Sequence, residues 1–235
     1  MQAQIGVLYN VLVCFITSMT SFTVFFLLKK RRKGKDVKYS QGIDYFCLSL
    51  GLLWLFVSLR AFFIWSGYLN LDSQVFQWIS GPLTYLHLLP VFHYFGWNFF
   101  KGKKVRPVFV GAFYLLTALT LFAFFNGELI IGEATYWGRE IEPSALANKF
   151  FSYGIFVPAF LCVLIDFFRR ITRWKKTNIL TEKQLLGFSF GLLLYCLFGV
   201  FDATGFAQGW VMLLLRIGIM LVPLIFYLSA IWESD

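Results

Sequence analysis

Long apolar blocks alternate with short polar connections along the whole chain. Seven blocks lie at about 6–28, 43–66, 75–99, 107–126, 149–168, 185–204 and 210–232. A helix of about 20 apolar residues crosses the roughly 30 Å of hydrocarbon in a bilayer. Positions 191–201 lack the alternation of apolar and polar residues that barrel strands show. The pattern therefore predicts an all-α, polytopic membrane protein in which residues 1–235 form one bundle of seven transmembrane helices.

Composition agrees with the block pattern. Hydrophobic residues make up 59% of the chain and charged residues 14%, which excludes a water-soluble globule. The first block has no basic leader and is followed at once by the basic run 29–33, so we expect an anchor and not a cleaved signal peptide. All four cysteines fall inside apolar blocks, which favours packing over a disulfide framework.

The basic residues predict the orientation of the bundle. Seventeen of the 21 lysines and arginines lie in three connections, 29–42, 101–106 and 169–184. With seven spans these connections share one side, which the positive-inside rule places in the cytoplasm. The N-terminus is then outside and the C-terminus inside. Because the charge is divided among short loops, we expect these loops to contact anionic lipid headgroups and not nucleic acid. A specific acidic lipid or a cytoplasmic partner is the alternative.

The connection at 127–148 is the longest on the predicted outer side. It contains the apolar run 129–131 and the aromatic pair Tyr136 and Trp137. Long loops in compact domains are often functional. We interpret this loop as a lid over the outer mouth of the bundle, with the aromatic pair at headgroup depth. A passive loop that dips into the membrane interface is an equal alternative.

Three ionisable residues lie within the predicted outer half of the membrane, where a charge is costly unless it is paired or hydrated. They are Arg60 in the second block, Asp202 near the end of the sixth and Arg216 in the seventh. The short turn at 205–209 makes the last two helices neighbours, which predicts an Asp202–Arg216 ion pair. If Arg60 faces the same cavity, one guanidinium remains to bind an anionic headgroup. The alternative is a purely structural pair, with Arg60 reaching toward the interface.

The two histidines are both in the third block. His87 and His93 are six residues apart, about 120° around a helix, so they cannot bind one metal ion together. His87 and Tyr94 fall near one stripe and are candidate ligand contacts, although an interhelical hydrogen bond is the favoured role for His87. For His93 we expect a partner at similar depth, Asp44 or Asp166.

Motifs of known catalytic chemistry are not found in this chain. The seventh block has no lysine for a retinal Schiff base, and the glycine-flanked serine elbow and the zinc-protease helix motif are missing. We expect a protein that is not an enzyme and that has no metal or cofactor, bound lipid apart.

Several stretches resemble the seven-helix sensor region at the N-terminus of some bacterial histidine kinases. They are FCLSLGLLWLFVSLRAFF in the second block, GPLTYLHLLPVFHYFGW in the third, the long fourth connection and the closing FYLSAIW. In such proteins the seventh helix leads into a cytoplasmic output module. Since only three residues follow Trp232, the resemblance implies ligand sensing coupled to a separate partner.

Three functions are consistent with these features. The first is a receptor-like sensor of a bacterial inner membrane or plasma membrane that binds a small or lipid-like ligand from outside. The second is a non-catalytic accessory or structural subunit of a larger membrane complex, either with other membrane subunits or as a homo-oligomer. A small transporter is third, since the sequence shows no inverted repeat.

Overall fold

A computed structural model describes residues 5–32, 41–100, 104–135, 137–177, 180–203 and 210–231. The α-helices are α1 (Ile5–Arg32), α2 (Gln41–Trp65), α3 (Leu69–Val75), α4 (Gly81–Leu86), α5 (Leu89–Phe99), α6 (Val105–Phe125), α7 (Ala145–Lys149), α8 (Val157–Thr177), α9 (Leu180–Ala203) and α10 (Trp210–Ile231). Two π-helices, π1 (Phe76–Ser80) and π2 (Phe150–Phe156), and two strands, β1 (Ile130–Ala134) and β2 (Arg139–Glu142), complete the described fold.

Five described helical segments are long and apolar enough to cross a membrane. They are Ile5–Lys30, Gly42–Trp65, Val105–Phe125, Ala145–Lys175 and Val211–Ile231. Each corresponds to one of the predicted apolar blocks. The chain is therefore a predominantly helical, multi-pass membrane protein.

The third predicted block is not one helix, and its bounds of 75–99 are wrong. The helical path begins earlier, at Leu69, widens in π1, and is broken by a turn at His87–Leu88. Pro90 has no N–H to donate to the preceding turn and its ring crowds that turn, so a new helix, α5, begins just before it. His87, at this break, is buried.

The fifth segment is longer than the predicted 149–168. It begins at α7, where the Ser144 hydroxyl accepts a hydrogen bond from the Ala147 N–H, passes through π2 and continues in α8 to Thr177. Residues 169–177, predicted as a loop, are helical because the chain contains neither proline nor glycine there. Most of the predicted basic loops 29–42 and 101–106 lies outside the described residues.

The helices form a closed ring. Each segment packs on the next along the chain, α10 packs on α1, and α5 also contacts α8 across the bundle. The Ser18 hydroxyl donates a hydrogen bond to the Gly51 carbonyl, and the Ser58 hydroxyl donates one to Val11, so α1 and α2 are joined along their lengths. The shared core is aromatic and includes the fully buried Phe46.

Small residues allow α9 to approach α10 closely. Gly187 and Gly191 are four residues apart on one face of α9 and lie against Ser229 and Phe226 of α10. A β-carbon at position 191 would lie 2.5 Å from the Phe226 ring. This small-xxx-small spacing is common where membrane helices pack backbone to backbone.

A β-hairpin, which the sequence pattern did not predict, occupies the connection 127–148. Strands β1 and β2 are antiparallel, with Ile131 opposite Ile141 and Ala134 opposite Arg139. Tyr136, the first residue of the predicted aromatic pair, lies outside the described residues. We call the end of the bundle that carries these strands the hairpin end, and the opposite end, where α8 reaches Arg169–Lys175, the basic end.

Candidate functional site

An ion pair between Arg60 and Asp72 lies at the hairpin end. The Arg60 Nε donates to Asp72 Oδ1 over 2.8 Å, and the Asp72 side chain is fully buried. The Arg60 guanidinium also lies over the Phe76 ring, 4.6 Å from its centroid. The sequence left open whether Arg60 faces a shared cavity with Asp202 and Arg216 or reaches toward the interface, and the structure pairs it with Asp72 of α3. Sequence analysis did not single out Asp72 because it precedes the third apolar block.

Arg139 of β2 approaches the same carboxylate. Its Nη1 lies 3.8 Å from Asp72 Oδ2 and donates hydrogen bonds to the Leu69 carbonyl and the Ser73 hydroxyl. Because Arg139 Nε also donates to the Gly132 carbonyl, one side chain holds the hairpin together and attaches it to α3.

Arg216 is on α10, which packs on α1 in the closed ring of helices. Its Nη1 donates a hydrogen bond to Asn10 Oδ1 and lies 3.6 Å from Cys14 Sγ. The guanidinium is 5.6 Å from the centroid of the Trp54 ring. The Asp202 side chain lies outside the described residues, so the Asp202–Arg216 pair stays a prediction.

Asn10 links Arg216 to the hairpin. Its Nδ2 donates to the Trp137 carbonyl over 3.3 Å, and a β-carbon at Gly138 would lie 3.9 Å from that nitrogen. The hairpin therefore contacts α1 through Asn10 and α3 through Arg139, in the place where the sequence predicted a lid. We call the described polar side chains here the hairpin-end cluster; they are Asn10, Trp54, Arg60, Asp72, Arg139 and Arg216.

His87 is in the middle of the bundle and uses both ring nitrogens. Nδ1 lies 2.7 Å from the Thr84 carbonyl, so Nδ1 carries the proton, and Nε2 accepts from the Tyr195 hydroxyl of α9. This is the interhelical hydrogen bond favoured from the sequence. His87 has no ring nitrogen left for a ligand.

Tyr94 belongs to a different site, near the basic end. Its hydroxyl donates to Asp166 Oδ2 over 3.1 Å, and the Ser189 hydroxyl donates to the same oxygen. Tyr94 and Asp166 are fully buried. Tyr94 and His87, which the sequence placed near one stripe, bond to different partners on either side of the break before α5.

Arg170 extends this site toward the end of the bundle. It contacts Asp166 Oδ1 through Nε at 3.3 Å, Glu182 Oε2 through Nη1 at 2.8 Å, and Asn98 Oδ1 through Nη2 at 2.9 Å. We call these side chains the basic-end network; they are Tyr94, Asn98, Asp166, Arg170, Glu182 and Ser189. Sequence analysis missed the network because it ended the fifth span at 168, although the i, i+4 spacing of Asp166 and Arg170 was a usable signal.

His93 does not pair with either acid expected for it. Its Nε2 lies 3.0 Å from the hydroxyl of Tyr114 on α6, on an exposed part of the bundle. Asp166 instead faces the bundle interior and contacts Arg170. Nearby, the Arg106 guanidinium stacks on the Trp97 ring at 3.6 Å.

Within the described ranges, no three His, Cys, Asp or Glu side chains converge to hold a metal ion. Comparison with known protein families, curated proteins and solved structures finds no match to this chain.

Proposed function

We propose that this chain is a non-enzymatic, receptor-like protein with seven membrane spans, situated in a bacterial inner membrane or a plasma membrane. It binds a small or lipid-like anionic ligand at the hairpin end, which faces outside. It then acts on a separate partner at the cytoplasmic, basic end. The receptor role follows the resemblance to kinase sensor regions, and the site follows the contacts described above.

The closed ring of helices supports the proposed seven-span topology. Five segments meet the length and apolarity of a span. The segments 69–99 and 180–203 occupy the remaining places in the same closed ring, between neighbours that are spans. Arg169 and Arg173 lie at one end of this ring and the hairpin lies at the other, in agreement with the positive-inside rule.

The observation that carries the ligand proposal is the charge of the hairpin-end cluster. Its described members include three arginines and one acid, a net charge of +2, and Asp202 would reduce this to +1. Excess positive charge within a membrane protein is costly unless an anion or water compensates it. An anionic ligand that enters beside the hairpin would supply the compensation.

The basic-end network gives the proposed receptor a route to its partner. It joins α5, α8 and α9 through two acids and one arginine whose side chains are largely buried. Buried charge networks have few alternative arrangements, so a shift of one helix moves its neighbours with it. A ligand that changes the position of α10 would act on this network through α9, on which α10 packs.

Mass spectrometry of the native protein, purified in mild detergent, tests the proposal. We expect a small acidic molecule or anionic lipid to copurify with the wild type and with Arg173→Gln, whose side chain is 45% exposed at the basic end. We expect Arg216→Gln to lose it. Stoichiometric membrane subunits instead of a small ligand would favour the accessory-subunit function, and equal retention by Arg216→Gln would contradict the proposed site.

A further inference from the structure

Two arginines bind the C-terminal end of α5, at the basic end of the bundle. Arg106 of α6 donates from Nη2 to the Phe100 carbonyl over 3.2 Å, and Arg169 of α8 donates from Nη1 to the Asn98 carbonyl over 3.1 Å. Carbonyl groups at the end of a helix lack N–H partners within that helix, and the helix dipole favours cations there. The end of α5 therefore fixes the positions of both guanidinium groups.

Aromatic rings support the same two side chains. The Arg106 guanidinium carbon is 3.6 Å from the centroid of the Trp97 ring, and that of Arg169 is 5.9 Å from the centroid of the Phe99 ring. Gly96 allows the first contact, since a β-carbon at that position would lie 3.3 Å from Arg106 Cγ. Because Trp97 is exposed, this arrangement lies at the surface of the bundle.

Neither arginine contacts a carboxylate among the described residues. Asp166 and Glu182 contact Arg170 instead. At longer range, Arg169 also experiences the like charges of neighbouring arginines. Arg106 has an N–H group, at Nε, for which the described part of the chain provides no acceptor. The protein thus compensates the positive charge at this surface only in part.

Exposed apolar side chains lie within one helical turn of each arginine. On α6 they are Val105 and Val108, and on α8 they are Ile165 and Phe168. Both helices belong to segments that are long and apolar enough to cross a membrane. The segment that contains α8 has 31 residues, and about 20 suffice to cross the hydrocarbon, so its charged last turns can lie at headgroup depth. A cation beside lipid-facing apolar surface matches a phospholipid better than a free ion.

We infer that the basic end binds the headgroups of anionic phospholipids, whose phosphates contact Arg106 and Arg169. A guanidinium group presents its N–H donors in a planar fork that matches phosphate oxygens. Each of the two arginines uses one nitrogen for its carbonyl bond and retains others for the lipid. This surface is independent of the ligand proposed at the hairpin end.

Native mass spectrometry of the delipidated protein tests the inference. The protein, in a neutral detergent and about 0.15 M salt, is titrated with phosphatidylglycerol and separately with phosphatidylcholine. We expect the wild type to bind phosphatidylglycerol more tightly. Arg106→Gln and Arg169→Gln should each raise the Kd for phosphatidylglycerol about tenfold, because each variant loses a hydrogen bond between charged groups.

Lys175→Gln is the matched control. It removes one positive charge from an exposed position at the same end, on the same helix as Arg169. It should change the Kd by less than about twofold, because water and salt screen an exposed charge. Arg106→Lys and Arg169→Lys retain the charge without the planar fork and should raise the Kd by a smaller factor than glutamine does, so they provide the test if a glutamine variant does not fold.

A preference for phosphatidylglycerol that is lost in Arg106→Gln and in Arg169→Gln supports the inference. Equal affinity for the two lipids would overturn it, and so would an equal loss in Lys175→Gln, because the attraction would then be a general effect of net charge. Displacement of the lipid by an equal concentration of sodium phosphate would indicate a site for free phosphate and would also overturn it. Arg216→Gln, at the hairpin end, should retain this lipid, so the result does not depend on the ligand proposed there.

Discussion

Arg60 and Asp72 form an ion pair that connects α2 to α3, the short helix at the start of the segment 69–99. The Asp72 carboxylate is fully buried and faces a second guanidinium, that of Arg139 on the hairpin. One acid therefore holds together two helices and the β-hairpin. Gly67, with φ of +83°, makes the tight turn that returns the chain from α2 to α3 and brings the two charges together.

Removing Asp72 alone should lower the free energy of unfolding more than removing both Asp72 and Arg60. Asp72→Asn leaves two arginines without their counter-charge, and we expect the free energy of unfolding to fall by about 3 kcal/mol, the lower end for a buried pair because Arg60 retains some exposure. The double variant Asp72→Asn/Arg60→Gln should recover part of that loss. A double-mutant cycle in detergent measures both values.

Glu133→Gln is the control for Asp72→Asn. It removes an acid from the exposed side of the same hairpin and should change stability by no more than about 0.5 kcal/mol. If the two single variants were equally stable, or if the double variant simply added the separate losses, the pair would not have the stabilising role assigned to it.

Hydropathy alone predicts the helical, membrane-embedded nature of this chain because the cost of burying backbone in lipid leaves few alternatives. Hydropathy also predicts that Arg60 and Arg216 lie at the same end of the bundle, as they do. The hydrogen bond between His87 and Tyr195 confirms the interhelical role expected for His87. The ion-pair partners of the arginines could not be predicted from hydropathy. Arg60 pairs with Asp72 because of a turn and a short helix that carry no apolar signal.

Contacts between distant parts of the chain also determined features that the periodicity of apolar residues along one helix cannot predict. A turn at His87–Leu88 interrupts the third segment; Tyr94 beyond it bonds to Asp166, whereas His87 bonds to Tyr195. The β-hairpin depends on Arg139 reaching the Leu69 carbonyl, a contact between residues 70 positions apart. Local periodicity does not report contacts of that range.

Close helix packing should make one glycine irreplaceable. At Gly42 on α2, a β-carbon would lie 2.7 Å from the Tyr94 backbone nitrogen and closer still to the Pro90 carbonyl. These are backbone atoms of α5 and cannot turn aside, so Gly42→Ala must separate α2 from α5 and should lower the free energy of unfolding by about 1–3 kcal/mol. Thermal unfolding of the purified protein measures the loss.

Gly111→Ala provides the matched comparison on α6. Nothing lies within 4 Å of a β-carbon at that position, and alanine is the better helix former by about 1 kcal/mol. We expect Gly111→Ala to leave the protein as stable as the wild type or to stabilise it. A Gly42→Ala protein that unfolds no earlier than Gly111→Ala would show that α2 and α5 are not packed this closely.

Orientation can be tested by labelling single cysteines in a background in which the four native cysteines are replaced by alanine. We choose three exposed positions, Lys104, Lys175 and Glu140. The basic connections are predicted to be cytoplasmic, so a membrane-impermeant maleimide added to intact cells should label Glu140→Cys only. Lys104→Cys and Lys175→Cys should react after the membrane is permeabilised. Opposite accessibility of these two lysine positions would contradict two crossings between them.

The hydrogen bond from Tyr94 to Asp166 should contribute measurably to stability because both partners are fully buried. Tyr94→Phe removes only the hydroxyl, and a bond to a charged acceptor is worth about 1.5–3 kcal/mol. We expect the lower end of that range because Asp166 retains Ser189 and Arg170 as donors.

Tyr114→Phe makes the same chemical change at an exposed bond to His93 and should alter the free energy of unfolding by no more than about 0.5 kcal/mol. Equal losses in the two variants would mean that the basic-end network is not tightly coupled, and α5, α8 and α9 would then lack the connection through which the proposed signal passes.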